Sequence, residues 1–120
     1  MNNTSGEQIR RQVMGGEFVD RALANADEFT QPMQEYINDH GWGSTWKRGG
    51  IDLKTRSLIT IAMLAALKTP QELKGHIRGA LNNGATKEEI REVLLHSAVY
   101  CGAPAAQEAF RAAKDVLDNK

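Results

Sequence analysis

The sequence predicts an all-α protein in a single domain, residues 1–120. In its periodic stretches, apolar residues recur every three to four positions, which is the helical period. Two T-x-x-E strings, at Thr69 and Thr86, have the spacing of helix-starting capping boxes. No stretch shows the strict alternation of apolar and polar residues that strands require. A length of 120 residues suits one domain.

The amino-terminal third predicts three helices followed by a loop. Ser5 suits the N-cap of a first helix that ends at Met14, and Gly15 and Gly16 interrupt it. A second helix is predicted over 17–26 and a third over 30–38, with Thr30 as N-cap and Pro32 in the first turn. The glycine-rich run HGWGSTWKRGG, residues 40–50, indicates a loop.

The next helix is predicted to be the buried centre of the fold. Asp52 suits its N-cap, and Lys68-Thr69-Pro70 ends it near Leu67. From Leu58 onward its residues are apolar on all sides, which is typical of a buried helix.

Three further helices are predicted towards the carboxyl end. Thr69 and Glu72 form the capping box of one over 70–82, and Gly84 suits the left-handed residue after it. Thr86 and Glu89 begin another that extends to about Cys101. Gly102-Ala103-Pro104 separates it from a last amphipathic helix that ends near Asp118.

Composition excludes several classes of function. Lys+Arg and Asp+Glu both number 15, so no net field attracts nucleic acid or an anionic membrane. Met1 to Gly6 lacks the pattern of a signal peptide, and the longest apolar stretch, about ten residues over 58–67, is too short to span a bilayer. The single cysteine, Cys101, rules out an intrachain disulfide or a two-thiol redox centre. We therefore expect a cytoplasmic protein.

His76 and Glu72 are the first candidate site. They lie at i, i+4 on the 70–82 helix, so their side chains can meet. Gly75 and Gly79 lie nearby, and each costs roughly 1 kcal/mol relative to alanine inside a helix. Such glycines indicate close approach of another helix or a ligand. A histidine beside a carboxylate suits proton transfer. From spacing alone, the favoured alternative is a histidine at the edge of the core that only hydrogen-bonds Glu72.

Two other places carry unusual residues. Glu92, His96 and Tyr100 fall at i, i+4, i+8 on one helix face, which suits a pocket wall, an interface or, more simply, a structural network. Both tryptophans, Trp42 and Trp46, precede two arginines, Arg48 and Arg56. A guanidinium near a buried surface needs a carboxylate, either from a substrate or from the protein itself. The alternative, equally favoured, is that the tryptophans pin the loop and that Arg56 pairs with a local glutamate.

Known cofactor motifs are absent from the sequence. There is no C-x-x-C, H-E-x-x-H, G-x-G-x-x-G or P-loop string. The three histidines, His40, His76 and His96, do not have metal-ligand spacing.

Residues 46–110 resemble the carboxymuconolactone decarboxylase family. The resemblance rests on three strings, W-x-R-x-G-x-D-x-K-T-R-S-L, L-x-x-H-I-R-x-A-L-x-x-G-A-T-x-E-E-I-R-E and Y-C-G-x-P-A-A, and extends more weakly to GGEFVDRA near the amino end. It implies an alkyl hydroperoxidase D-like helical bundle that assembles into rings, commonly a homohexamer. In the thiol peroxidases of that superfamily two cysteines stand where this chain has Thr69 and Glu72, while His76 matches their histidine. Redox function is therefore unsupported.

The resemblance implies decarboxylation of 4-carboxymuconolactone to 3-oxoadipate enol-lactone and CO2, in protocatechuate breakdown by the β-ketoadipate pathway, without metal or other cofactor. Residue chemistry then suggests His76 as proton donor or oxyanion partner, with Glu72 orienting it. Arg48 or Arg56 would clamp a carboxylate. Trp46, His96 and Tyr100 would line the pocket. Two alternatives are an enzyme of the same superfamily acting on another lactone or β-keto acid, and a non-catalytic oligomer that binds a metabolite.

Overall fold

A computed structural model of the chain describes residues 5–119. Over these residues the regular structure is entirely helical, as predicted: seven α-helices and one π-helix. The amino-terminal segment Met1–Thr4, part of the stretch that lacks a signal-peptide pattern, lies outside them. The chain divides after Leu53 into two compact units, an amino-terminal unit up to Leu53 and a carboxyl-terminal unit from Lys54 onward.

The amino-terminal unit contains four helices: α1 (Gly6–Met14), α2 (Gly16–Ala24), α3 (Gln31–Tyr36) and the π-helix (Ile37–Trp46). Ser5 caps α1 as predicted, in a capping box completed by Gln8. Gly15 ends α1 at a φ of 96°, in the left-handed region that glycine adopts without strain. The core of this unit is formed by five buried apolar side chains: Ile9, Val13, Met14, Val19 and Trp42.

The N-cap position predicted for α3, Thr30, is confirmed, but the expectation that its side chain caps the helix is wrong. The Thr30 side chain makes no cap hydrogen bond, and its backbone is already helical. Asp27 does this work instead: its Oδ1 accepts from the backbone N–H of Thr30 at 2.9 Å, and the Thr30 hydroxyl accepts from the N–H of Asp27 at 2.9 Å. The hydrogen bond from the Thr30 N–H, and then one from the Thr30 hydroxyl to the same carboxylate oxygen at 3.2 Å, lower the pKa of Asp27. The turn therefore begins three residues earlier than predicted.

The loop predicted over 40–50 is also wrong, because most of it is the π-helix. Backbone hydrogen bonds that span five residues replace those that span four: the N–H of Lys47, for example, donates to the carbonyl of Trp42 at 3.2 Å. The side-chain hydroxyl of Ser44 also donates to the carbonyl of Asp39, at 3.1 Å. One glycine of the π-helix, Gly43, allows close packing against α1. A Cβ on Gly6 of α1 would lie 2.7 Å from the backbone nitrogen of Gly43, so the two helices touch through bare backbone.

The carboxyl-terminal unit is built from α4 (Leu53–Leu67), α5 (Pro70–Asn82), α6 (Lys87–Cys101) and α7 (Ala103–Asp118). Their bounds match the predicted helices closely. The core joins all four helices through residues such as Ile61, Leu73, Ile77, Leu94 and Ala109. The buried face of α7 consists mainly of alanines, which lets neighbouring helices approach closely.

One of the two predicted capping boxes in this unit is confirmed. The Thr86 hydroxyl accepts from the N–H of Glu89 at 3.0 Å, and the Glu89 carboxylate accepts from the N–H of Thr86 at 2.9 Å. Thr69 makes no cap hydrogen bond, so that prediction is wrong. Its hydroxyl donates to the carbonyl of Leu64 at 3.2 Å instead. Gly84 has the predicted left-handed backbone, with a φ of 92°.

The prediction that α4 is buried on all sides is not met within one chain. Ile61 and Ala65 are buried, but Ile59, Met63 and Leu67 are 42%, 59% and 68% exposed. These three residues recur every four positions and form one apolar stripe along α4, here called the α4 stripe. Within residues 5–119, no helix is long and apolar enough to cross a membrane.

Candidate active site

His76 lies in the middle of α5, at the edge of the core of the carboxyl-terminal unit. Its neighbours Leu73 and Ile77 are fully buried, whereas the imidazole itself is half-buried with its Nδ1 atom shielded from solvent. Gly75 and Gly79 are both buried. The sequence therefore places a titratable ring on a rigid helix, partly in and partly out of an apolar environment, which is a suitable place for proton transfer.

Glu72 lies one turn before His76 and is exposed. Over the described part of the chain its carboxylate forms no ion pair, so it does not hold the imidazole in place here. The proposed orienting role of Glu72 stays a prediction. In this geometry, Glu72 is available to a ligand that binds beside α5.

Arg56 lies one turn into α4, in the same unit as His76. It is half-buried, and its Nε atom is shielded from solvent. Its backbone carbonyl accepts from the Thr60 hydroxyl at 2.8 Å, a bond within the helix. Its guanidinium is carried on a rigid helix, as a carboxylate clamp requires.

Trp46 and Arg48 belong to the amino-terminal unit. Trp46 is half-buried, and its ring lies 4.5 Å from that of Trp42, with the planes tilted by 30°. Trp42 is 5% exposed and sits in the core, which supports the interpretation that this tryptophan pins the segment. Arg48 follows the π-helix in a turn and is exposed, with its N–H donating to the carbonyl of Thr45 at 3.0 Å.

His96 and Tyr100 form the predicted side-by-side pair on α6, with ring centroids 5.3 Å apart. Both are exposed, Tyr100 to 80%, as are Leu95 and Val99 beside them. In the single chain, this face of α6 is therefore exposed to solvent. We call it the α6 face (Leu95, His96, Val99 and Tyr100).

Cys101 shows no sign of nucleophilic chemistry. It is half-buried at the end of α6, and its thiol donates to the carbonyl of Ser97 at 2.8 Å. The described residues also contain no group of three or more histidine, cysteine, aspartate or glutamate side chains that could hold a metal ion.

A cleft between α6 and α7 was not predicted. Lys87 and Arg91 stand at its mouth, and Ile90 and Leu94 lie in its floor. The sequence contains a signal for it: Lys87 and Arg91 are four residues apart on α6, and each is followed three residues later by an apolar residue, Ile90 or Leu94.

These features define an all-helical protein with a candidate acid–base residue, His76, on a half-buried helix. Residues 31–115 match the Carboxymuconolactone decarboxylase family, and the chain belongs to that family. It is 50% identical over 104 residues to nitrosuccinic acid decarboxylase of Metarhizium robertsii, covering 87% of this chain and 73% of the relative. It is 42% identical over 112 residues to 4-carboxymuconolactone decarboxylase of Acinetobacter baylyi, covering 93% and 84% respectively. The predicted family resemblance is confirmed, and both relatives are decarboxylases of different acids.

Proposed function

We propose that this protein is a decarboxylase whose substrate, 4-carboxymuconolactone, supplies its own electron sink. The observation that carries the proposal is the 42% identity to 4-carboxymuconolactone decarboxylase over 93% of the chain. The half-buried His76 on α5 supports it, since protonation of carbon needs a positioned acid.

The reaction on 4-carboxymuconolactone requires no cofactor. The bond between the ring carbon and its carboxylate breaks, and its electron pair moves through the ring double bond to the lactone carbonyl oxygen. The resulting dienolate takes a proton at the carbon next to that carbonyl, which gives 3-oxoadipate enol-lactone and CO2. The protein has to hold two carboxylates, stabilise the oxyanion and deliver the proton.

The residues of this chain supply these functions as follows. Arg56 binds a carboxylate as a guanidinium fork, and Arg48 of the amino-terminal unit is the alternative candidate for this role. His76 donates the proton or hydrogen-bonds the oxyanion, and Glu72, one turn before it on α5, is the candidate for orienting it. Among the residues proposed to line the pocket, His96 and Tyr100 form an aromatic wall in the carboxyl-terminal unit, and Trp46 is a separate candidate in the amino-terminal unit.

Nitrosuccinate is a second candidate substrate, favoured by the 50% identity to nitrosuccinic acid decarboxylase over 87% of the chain. Its chemistry is closely parallel. Loss of the carboxylate next to the nitro group leaves a nitronate, whose charge rests on the nitro oxygens, and protonation at carbon then gives 3-nitropropanoate. This substrate also has two carboxylates and an internal sink, so the same residues serve it.

Self-association, as a homohexamer, is part of the proposal. The α4 stripe and the α6 face expose large apolar side chains, including Met63 at 59% and Val99 at 75%. Exposed apolar faces of this kind on a small chain are typical of protein–protein interfaces. A neighbouring subunit would enclose His96 and Tyr100. We place the protein in the cytoplasm, since Cys101 needs no oxidising compartment.

The experiment is to follow CO2 release by the purified protein from each acid separately. Loss of the lactone chromophore reports turnover of 4-carboxymuconolactone, and formation of 3-nitropropanoate reports turnover of nitrosuccinate. The proposal predicts a much higher kcat/KM for the lactone. A reversed preference would establish the second candidate, and turnover of neither acid would refute both and leave another lactone or β-keto acid, or metabolite binding alone.

A further inference from the structure

The cleft between α6 and α7 has an apolar floor and lies within the carboxyl-terminal unit. Its volume is about 220 Å³. Ile90 and Leu94 of α6 and Ala113 of α7 are buried and form the floor, and the half-buried ring of Phe110 lies beside them. None of the residues implicated in decarboxylation lines it. The cleft is therefore distinct from the candidate active site.

The mouth of the cleft carries an excess of positive charge. Lys87 and Arg91 are one turn apart on α6, and both are exposed. Within residues 5–119 neither forms an ion pair with a carboxylate. On the α7 side, Lys114 is already engaged, with its Nζ 2.6 Å from the Asp118 carboxylate. One rim thus offers two cations to a ligand, while the other is neutralised.

The size of the cleft limits what it can hold. Its volume of about 220 Å³ is many times the roughly 10–15 Å³ that a cavity needs to hold one water molecule. A single ring or a short chain of similar bulk fills that space. An apolar ring or chain is stabilised by displacing water from the apolar floor of the cleft, whereas a fully polar ligand would not displace that water favourably.

We infer that this cleft binds a small organic monocarboxylate, with its ring or chain against Ile90, Leu94 and Phe110 and its carboxylate between Lys87 and Arg91. A second carboxylate is disfavoured, since it would face either the apolar floor or the α7 rim, where Asp118 already neutralises Lys114. The site thus selects against dicarboxylates, in contrast to the proposed substrates of the active site. It does not depend on the proposed reaction.

The test is a ligand-observed NMR titration of the full-length protein with three probes: benzoate, benzyl alcohol and terephthalate. Benzyl alcohol keeps the ring without the charge, and terephthalate adds a second carboxylate at the far end. We expect saturable binding of benzoate and clearly weaker binding of the other two. The double variant Lys87→Gln/Arg91→Gln should weaken benzoate binding about tenfold, the range for two partly exposed charge contacts, and leave benzyl alcohol unchanged.

Two control variants locate the binding. Arg111→Gln removes an exposed cation of α7 that does not line this cleft, and it should leave benzoate affinity unchanged. His76→Ala should leave it unchanged too. Absence of saturable benzoate binding would overturn the inference. An equal loss of benzoate affinity in Lys87→Gln/Arg91→Gln and in Arg111→Gln would overturn it too. Loss of benzoate binding in His76→Ala would also overturn it, by assigning the ligand to the candidate active site.

Discussion

The Nζ atom of Lys54 lies 3.0 Å from Oε2 of Glu89 and joins the first turn of α4 to the first turn of α6. The other oxygen of the same carboxylate accepts from the N–H of Thr86 and closes the capping box. One side chain thus begins α6 and holds it to α4. The hydrogen bond from the Thr86 N–H, and then Lys54, lower the pKa of Glu89 below its ordinary value of 4.5.

This lowered pKa predicts a specific loss of stability in acid. Ionised Glu89 stabilises the fold above pH 4.5, and that stabilisation disappears as the pH falls through the lowered pKa of the folded state. The unfolding midpoint in denaturant should therefore fall more steeply between pH 6 and pH 3 in the wild type than in Glu89→Gln, within the usual acid range. Glu88→Gln, a change at an exposed carboxylate of the same turn, should follow the wild type. Parallel curves for wild type and Glu89→Gln would contradict the assignment.

The two threonines with similar sequence motifs should respond differently to substitution. Thr86→Ala removes a side-chain cap and should destabilise the protein by roughly 1 kcal/mol. Thr69→Ala should cost clearly less, because its hydroxyl caps no N–H of α5. Chemical denaturation of the two variants measures the difference. Equal losses would mean that Thr69 does cap α5 in solution.

The contrast between these threonines shows how far the sequence predicts the fold. Both have glutamate three residues later, but a capping box also needs an extended N-cap residue. Thr86 has it, with φ −94° and ψ 160°. Thr69, with φ −117° and ψ 74°, does not. The ψ angle of Thr69 depends on the conformation of the preceding turn, in which Lys68 has a left-handed backbone. The T-x-x-E motif does not determine that conformation.

The π-helix was missed for a related reason. Gly41 and Gly43 lower helix propensity, so a local reading favours a loop. Tertiary contact outweighs propensity here, because Gly43 packs against the backbone of α1 at Gly6 and Trp42 enters the core. Such long-range packing is not visible in a local window of sequence.

The α4 stripe predicts the effect of a charge on assembly. Met63→Glu places a carboxylate in the middle of an exposed apolar row, and burying it against another subunit without a partner would cost several kcal/mol. Multi-angle light scattering should show smaller species for Met63→Glu than for the wild type. Gln107→Glu, on an exposed polar position of α7, is the matched control and should assemble normally. A wild-type protein that remains a monomer would refute the proposed homohexamer.

Cys101 should prove dispensable for turnover. Its thiol donates to the carbonyl of Ser97 within α6, and a serine hydroxyl can make the same hydrogen bond. Cys101→Ser should therefore keep most of the wild-type kcat. A collapse of kcat with unchanged helical content by circular dichroism would instead require covalent chemistry at this position.

The candidate site was predictable in part. Sequence spacing placed His96 next to Tyr100, and the rings are in contact as expected. Spacing also allowed Glu72 to meet His76, yet the carboxylate remains exposed, because an i, i+4 separation permits contact without requiring it. Apolarity on all sides of α4 predicted burial on all sides, but Ile59, Met63 and Leu67 are exposed in the structure. Roles that depend on a second subunit or on substrate are beyond what one chain encodes locally.

The central claim is that His76 carries the acid–base chemistry, and the direct measurement is kcat for decarboxylation of 4-carboxymuconolactone by three variants. His76→Ala should lower kcat by about 10²–10⁴-fold with fold and assembly intact, the usual contribution of a general acid or base. His76→Gln, which donates a hydrogen bond but does not titrate, should recover activity only if the residue serves the oxyanion. His96→Ala, which changes a wall residue, should cost less than His76→Ala. An inactive His96→Ala beside a near-normal His76→Ala would contradict the assignment of the catalytic residue.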